Sequence, residues 1–128
     1  MVVLSGMKKH VLIIEDEKDM REALAAALTA ADFEVTTADN GATGLQTALA
    51  EKPDVILLDL LMPVMGGQEM LAKLRLDDWG KTAKVIMATA LDDVQNVDAG
   101  FEGGILDYIV KSNMSLSEIV KVVQGVAT

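Results

Sequence analysis

A repeated alternation constrains the fold more than any other feature. Short apolar, β-branched runs are separated by segments of helical period, with Gly, Asn, Asp and Pro between them. That is the pattern of successive βα units built around a parallel sheet. Strands are predicted at about residues 10–14, 33–37, 54–58, 84–88 and 105–110. Helices are predicted at about 17–31, 41–51, 67–75 and 92–99, and a last one opens at the capping box Ser115-Leu116-Ser117-Glu118. The first, third and fourth strands are continuous apolar runs, as expected of strands covered by helices on both faces. The second, Phe33-Glu34-Val35-Thr36-Thr37, alternates and reads as an edge strand.

The helices carry apolar faces at the spacing a sheet requires. Helix one sets Met20, Leu24, Leu28 and Ala31 on one side, and helix three sets Met70, Leu71 and Leu74. Helix two ends before Pro53, and Trp79 is expected to cover the end of helix three. The last helix turns Leu116, Ile119, Val120 and Val123 inward. Val122 and Val126 then point outward, as a partner or dimer face or as lightly buried surface. His10, at the start of a strand, reads as structural or exposed.

At 128 residues the chain suits one domain. Residues 1–7 read as an N-terminal extension, with Met7 as a second start, and 8–128 as the domain. No apolar run approaches the roughly 18 residues of a membrane span, and the first six residues do not resemble a signal peptide. No membrane partner is expected. The absence of cysteine excludes disulfides, thiolate catalysis and Cys-based metal sites. It is compatible with the expected cytoplasmic location. A net charge of −9 opposes direct nucleic-acid binding and suits a protein that meets cations or basic patches.

Right-handed crossovers bring every strand's C-terminal end to one edge, where ligand sites of open α/β sheets lie. Four of these ends are polar. The first strand runs into Glu15-Asp16, and Val55-Ile56-Leu57-Leu58 ends at Asp59. Val85-Ile86-Met87-Ala88 ends at Thr89, and the fifth strand ends at Lys111. Three carboxylates in one cleft repel unless a positive charge compensates. Mg²⁺, which prefers oxygen ligands and keeps several waters, is the natural compensation. Lys111 adds a fixed positive charge and Thr89 a hydroxyl donor. Acid, metal, ammonium and hydroxyl together make a site for a phosphoryl group. Asp59, at a central strand end, is the acid best placed as nucleophile. Taken singly, each residue has a bland reading: a capped strand end, a satisfied hydroxyl, a solvated lysine. The phosphoryl site is read from their combination.

Over about residues 8–126 the sequence resembles the receiver domain of two-component response regulators. The resemblance rests on Glu15-Asp16 after the first strand and on Asp59 followed by Met62-Pro63 and Gly67. It rests equally on Thr89-Ala90 after the fourth strand and Tyr108 three residues before Lys111. It implies an α/β, flavodoxin-like, doubly wound five-stranded parallel sheet in the order 2-1-3-4-5, with five helices. It also implies that Asp59 accepts a phosphoryl group from a sensor histidine kinase or phosphotransfer protein. Asp16 would ligate Mg²⁺ (or Mn²⁺ in its place) directly, Glu15 would help through water, and the Leu61 backbone carbonyl would be a further ligand. Lys111 would pair with the phosphoryl group, Thr89 would move to bond it, and Tyr108 would change rotamer with that movement. The surface of helix four, strand five and helix five would then change its affinity for an output partner protein or a second copy of the chain.

Three departures from the family pattern bear on function. Ser112 stands where the family usually has proline after its lysine, so a trans bond is expected there. Leu61 and Leu91, two residues after Asp59 and Thr89, are apolar where many relatives carry polar residues that position water. Slow self-dephosphorylation is the expectation. No DNA-binding or catalytic output module follows residue 128, so the chain reads as a stand-alone receiver or a fragment of a longer protein.

Two other functions compete. A haloacid-dehalogenase-type phosphatase also uses an aspartate at a strand end, but it needs a second aspartate two residues later, where Leu61 stands. A phosphorylation-independent interaction module would keep the fold and lose the switch. The glycine patterns of dinucleotide-binding and P-loop folds are missing.

Overall fold

A computed structural model describes residues 8–89, 107–110 and 114–128. Five strands, β1 (His10–Ile14), β2 (Glu34–Ala38), β3 (Val55–Asp59), β4 (Val85–Thr89) and β5 (Asp107–Val110), form one sheet. Its order is β2-β1-β3-β4-β5 and every ladder is parallel. This is the doubly wound order expected. Helices α1 (Lys18–Ala30), α2 (Gly41–Glu51), α3 (Gly67–Leu74) and a C-terminal helix (Leu116–Ala127) pack on the sheet. The helix expected at about 92–99 lies outside the described residues. The observed strands β2, β3 and β4 end one residue later than predicted, so Asp59 and Thr89 belong to the ladders themselves.

The two-residue period of the strands builds two cores. Leu12, Ile14, Ile56, Leu58, Val85 and Met87 share a core with Met70, Leu71 and Leu74 of α3 and Ala48 of α2. Val11, Ile13, Val55, Leu57, Ile86 and Ala88 share the other with Leu24 and Leu28 of α1 and Ile119 and Val123 of the C-terminal helix. Trp79 packs against the first of these, as expected for a cover at the end of α3. His10 is structural: its Nε2 lies 2.7 Å from Thr36 Oγ1 and 3.3 Å from Glu51 Oε1, tying β1 and β2 to the end of α2.

The C-terminal helix departs from the predicted face at its start. Leu116 is not inward; as the first helical residue it lies before the helix settles on the sheet, and it is 40% exposed. For Val122 and Val126 the structure shows the second of the two readings, a lightly buried surface: both are half-buried against the α1 side of the core. The buried stripe is therefore Ile119, Val123 and Ala127, flanked by Val120, Val122 and Val126. A helix lying on a sheet presents a wider apolar arc than a coiled-coil seam does.

The capping box of this helix is complete. The Glu118 backbone N–H donates to Ser115 Oγ at 3.1 Å, and the Ser115 N–H donates to Glu118 Oε1 at 2.9 Å. The Ser115 backbone bond, then its hydroxyl, hold the Glu118 carboxyl below its ordinary 4.5. Ser115→Ala should lower stability by about 1 kcal/mol. A carboxyl whose folded pKa is depressed stabilises the fold above its unfolded pKa and loses that contribution as pH falls through the folded one. The stability gap between wild type and Glu118→Gln should therefore close on acidification through the carboxylate range. Chemical denaturation of the three proteins between neutral and acidic pH measures both effects.

Candidate functional site

The chain leaves β1 for β2 on one side of the sheet and returns to β3 on the other. The winding therefore reverses between β1 and β3, and the crevice of a doubly wound sheet opens beyond the carboxyl ends of these two strands. Glu15 follows β1 and Asp59 ends β3 there. Glu15 continues the row of Val11 and Ile13, and Asp59 the row of Val55 and Leu57. Their backbones are placed by the ladders: the Glu15 N–H donates to Ala38 O at 3.0 Å, and Asp59 sits opposite Ala88.

Among the described residues, Glu15 and Asp59 are the two buried charged or polar side chains, at 1% and 4% exposure. Asp16, the next residue, is exposed. One carboxylate oxygen from each of Glu15, Asp16 and Asp59 lies within 4.8 Å of the others. Burying charge is costly unless something compensates, and three hard oxygen donors this close make a set that could hold a metal ion. The predicted trio is thus brought together.

Of the other predicted residues, Thr89 stands at the same edge, as the last residue of β4. It pairs with Val110 of β5, and Tyr108 pairs with Met87. Lys111 is the residue after Val110 and lies outside the described residues, as do Leu91 and the Lys111–Ser112 bond. Leu61, two residues beyond Asp59, is 61% exposed.

Two loops carry the site. After β3, Leu60 is buried and its N–H extends the ladder to Ala88 O at 3.0 Å. The chain then reverses at Val64: the Met65 N–H donates to Pro63 O at 2.7 Å across a Val64 φ of 69°. This is a γ-turn of the rare left-handed kind, centred on a β-branched residue, and it is a strained arrangement. Both flanks of the turn are held. The Gly41 N–H at the start of α2 donates to Met65 O at 3.1 Å, and the Gly67 N–H at the start of α3 donates to Leu60 O at 2.9 Å. Gly67 sits so close to β3 that a Cβ there would lie 2.4 Å from Asp59 O and 3.0 Å from Leu60 Cα.

The β1–α1 loop is fastened from within. Glu15 Oε2 accepts the Glu17 N–H at 3.1 Å. Arg21 reaches back from the first turn of α1, its Nη1 donating to Glu15 O at 3.0 Å and, at 3.4 Å, more weakly to Asp16 O. Sequence reasoning missed Arg21. The signal was present, since a cation in the first turn opposes the helix dipole at a cost of about 0.3–1 kcal/mol.

The family model described as "Response regulator receiver domain" matches residues 11–124. The chain belongs to the family of response regulator receiver domains. It is 35% identical over 115 residues to the probable transcriptional regulatory protein TcrX of Mycobacterium tuberculosis, covering 90% of this chain and 48% of that one. The chain thus spans about half the length of that relative. A putative response regulator from Chloroflexus aurantiacus has the same fold, with a TM-score of 0.86 at 31% identity over 94% of this chain and 98% of the other. The receiver domain of the sensor histidine kinase PA1611 from Pseudomonas aeruginosa matches with a TM-score of 0.85 over 94% of this chain and 98% of its own. That structure has a magnesium ion coordinated in its active-site cleft; at 23% identity the likeness is one of fold. Receiver domains of response regulators are signalling modules.

Gly67→Ala should push α3 off β3, because the atoms it meets are backbone and cannot rotate away. A loss of about 1–3 kcal/mol is expected from overpacking of this kind. The loss should come with displaced Asp59 and Leu60 amide resonances in a ¹⁵N spectrum. Gly125→Ala, in open space on the C-terminal helix, is the control and should leave those resonances in place.

Proposed function

We propose that this domain takes a phosphoryl group onto Asp59 from a sensor histidine kinase or a phosphotransfer protein, in a Mg²⁺-dependent reaction. The observation that carries this reading is the pair of buried carboxylates, Glu15 and Asp59, meeting Asp16 at the sheet's switch point in a chain of the receiver family. In the step, a carboxylate oxygen of Asp59 attacks the phosphorus of a phosphohistidine. The new P–O bond forms as the P–N bond breaks, and the electron pair of that bond returns to the imidazole nitrogen. The product is an acyl phosphate on Asp59. An acid buried on a central strand is held in one orientation, which favours in-line attack.

The carboxylate oxygens of Glu15, Asp16 and Asp59 fit Mg²⁺, or Mn²⁺ in its place, as a hard oxygen set. Asp16 is assigned as a direct ligand, Glu15 as a ligand through water, and the Leu61 carbonyl as a further donor. When bound, the metal supplies charge neutralisation at the phosphoryl oxygens. Lys111 is assigned the opposing positive charge and Thr89 the hydroxyl that bonds the phosphoryl oxygen. Tyr108 shifts with Thr89, and the surface assigned to the helix expected at about 92–99, β5 and the C-terminal helix changes its affinity for an output partner or a second copy. Catalysis by the domain is confined to its own phosphorylation and slow dephosphorylation. Leu61, apolar and exposed beside Asp59, offers no hydrogen bond to hold an attacking water.

Incubation with acetyl phosphate or phosphoramidate and Mg²⁺ should add one phosphate by intact mass, and Asp59→Asn should abolish the addition. Wild type left unmodified by several donors would overturn the reading in favour of a phosphorylation-independent module. The phosphoryl group should persist for minutes or longer in the purified protein, followed by mass after donor removal. A half-life of seconds would show that Leu61 does not slow hydrolysis.

A further inference from the structure

We infer that Arg21 is a positioning residue for the acidic pair, acting through the main chain of Glu15 and Asp16; the inference rests on the metal-dependent reading of that site. The two acids are consecutive, so their side chains are aimed by the peptide planes on either side of Asp16. Arg21 Nη1 donates to the carbonyl of each, at 3.0 and 3.4 Å. One guanidinium nitrogen has two N–H groups, so a single side chain can hold both planes. The Glu15 carboxylate accepts the Glu17 N–H at 3.1 Å, so the loop is gripped at both its carbonyls and its buried acid.

Arg21 is also part of the α1 start, where its own N–H donates to Glu17 O at 2.9 Å. The loop and the first turn of α1 thus close on one another through Arg21. Glu17, the residue before the helix, makes no side-chain capping bond. Among the described residues Arg21 makes no carboxylate ion pair within 4.0 Å, so its charge is directed at carbonyl dipoles. Outer groups that orient metal ligands in this way typically alter metal affinity by 10–100-fold when removed.

Charge and positioning predict opposite signs for removal of Arg21. Removing a cation beside a divalent-metal site should tighten metal binding if Coulombic repulsion were its main effect. Releasing the two peptide planes should weaken it. Titration calorimetry with MgCl₂ on wild type, Arg21→Met, Arg21→Lys and Asp16→Asn, well below each variant's unfolding temperature, separates the two. We expect Arg21→Met to weaken Mg²⁺ binding by on the order of tenfold. Arg21→Lys, which can still donate to a carbonyl, should recover a substantial part of that loss. Equal or tighter binding by Arg21→Met than by wild type overturns the inference. So does a fall in the metal-free thermal midpoint of Arg21→Met with unchanged Mg²⁺ affinity, which marks a purely structural role. If wild type itself does not bind Mg²⁺, or binds it no better than Asp16→Asn, the metal reading of the site fails first.

Discussion

Two carboxylates buried at the end of an otherwise apolar sheet are the constraint on which the rest of this molecule depends. Every strand residue from Val11 to Ile14 and from Val55 to Leu58 is buried and apolar, and each row stops at an acid that is buried too. A solvent-exposed acid could sit at many points of the fold. A buried one needs fixed partners, because in a poorly solvating interior an uncompensated charge costs several kcal/mol. The surroundings of Glu15 and Asp59 reflect that need. The ladders fix where their backbones lie, the Glu17 amide bonds Glu15, and Asp16 brings a third carboxylate oxygen within 4.8 Å of the other two. The sheet order then gives these acids a crevice, since only at the β1–β3 reversal do the flanking connections diverge and leave room.

Much of this was legible in the sequence because the signals are periodic or terminal. Parallel strands buried on both faces must be continuous apolar runs, so β1, β3 and β4 could be placed to within a residue. The polar residue that ends such a run stands out against it, which exposed Asp59 and Thr89 as candidates. What was not legible depends on three-dimensional neighbours. Val122 and Val126 lie off the main stripe of the C-terminal helix, yet the packed face is broad enough to half-bury them. Leu116 fits the stripe by spacing but sits at the first helical position, before the helix settles on the sheet. Arg21 stands out in the sequence only as a cation unfavourably placed in a first helical turn, and its carbonyl acceptors are visible only in three dimensions. Val64 carries no compositional mark of a left-handed turn, which usually selects Gly, Asn or Asp.

That last discrepancy bears on how the site is held. A β-branched residue at a φ of 69° persists only when the chain on either side over-determines it. Here the turn is held between Leu60, locked into the β3–β4 ladder, and Met65, bonded by the first residue of α2. Gly41 and Gly67 permit those approaches, because a side chain at either would collide with backbone oxygen at 2.3 or 2.4 Å. The strain at Val64 is therefore a consequence of two helices being drawn close against the end of β3. The same closeness brackets the peptide after Asp59, where the Leu60 N–H donates to Ala88 O at 3.0 Å and the Leu60 carbonyl accepts the Gly67 N–H at 2.9 Å. The chain thus sets an apolar side chain, Leu61, 61% exposed, two residues beyond an acid that is 4% exposed, and the proposed slow loss of the phosphoryl group rests on that contrast.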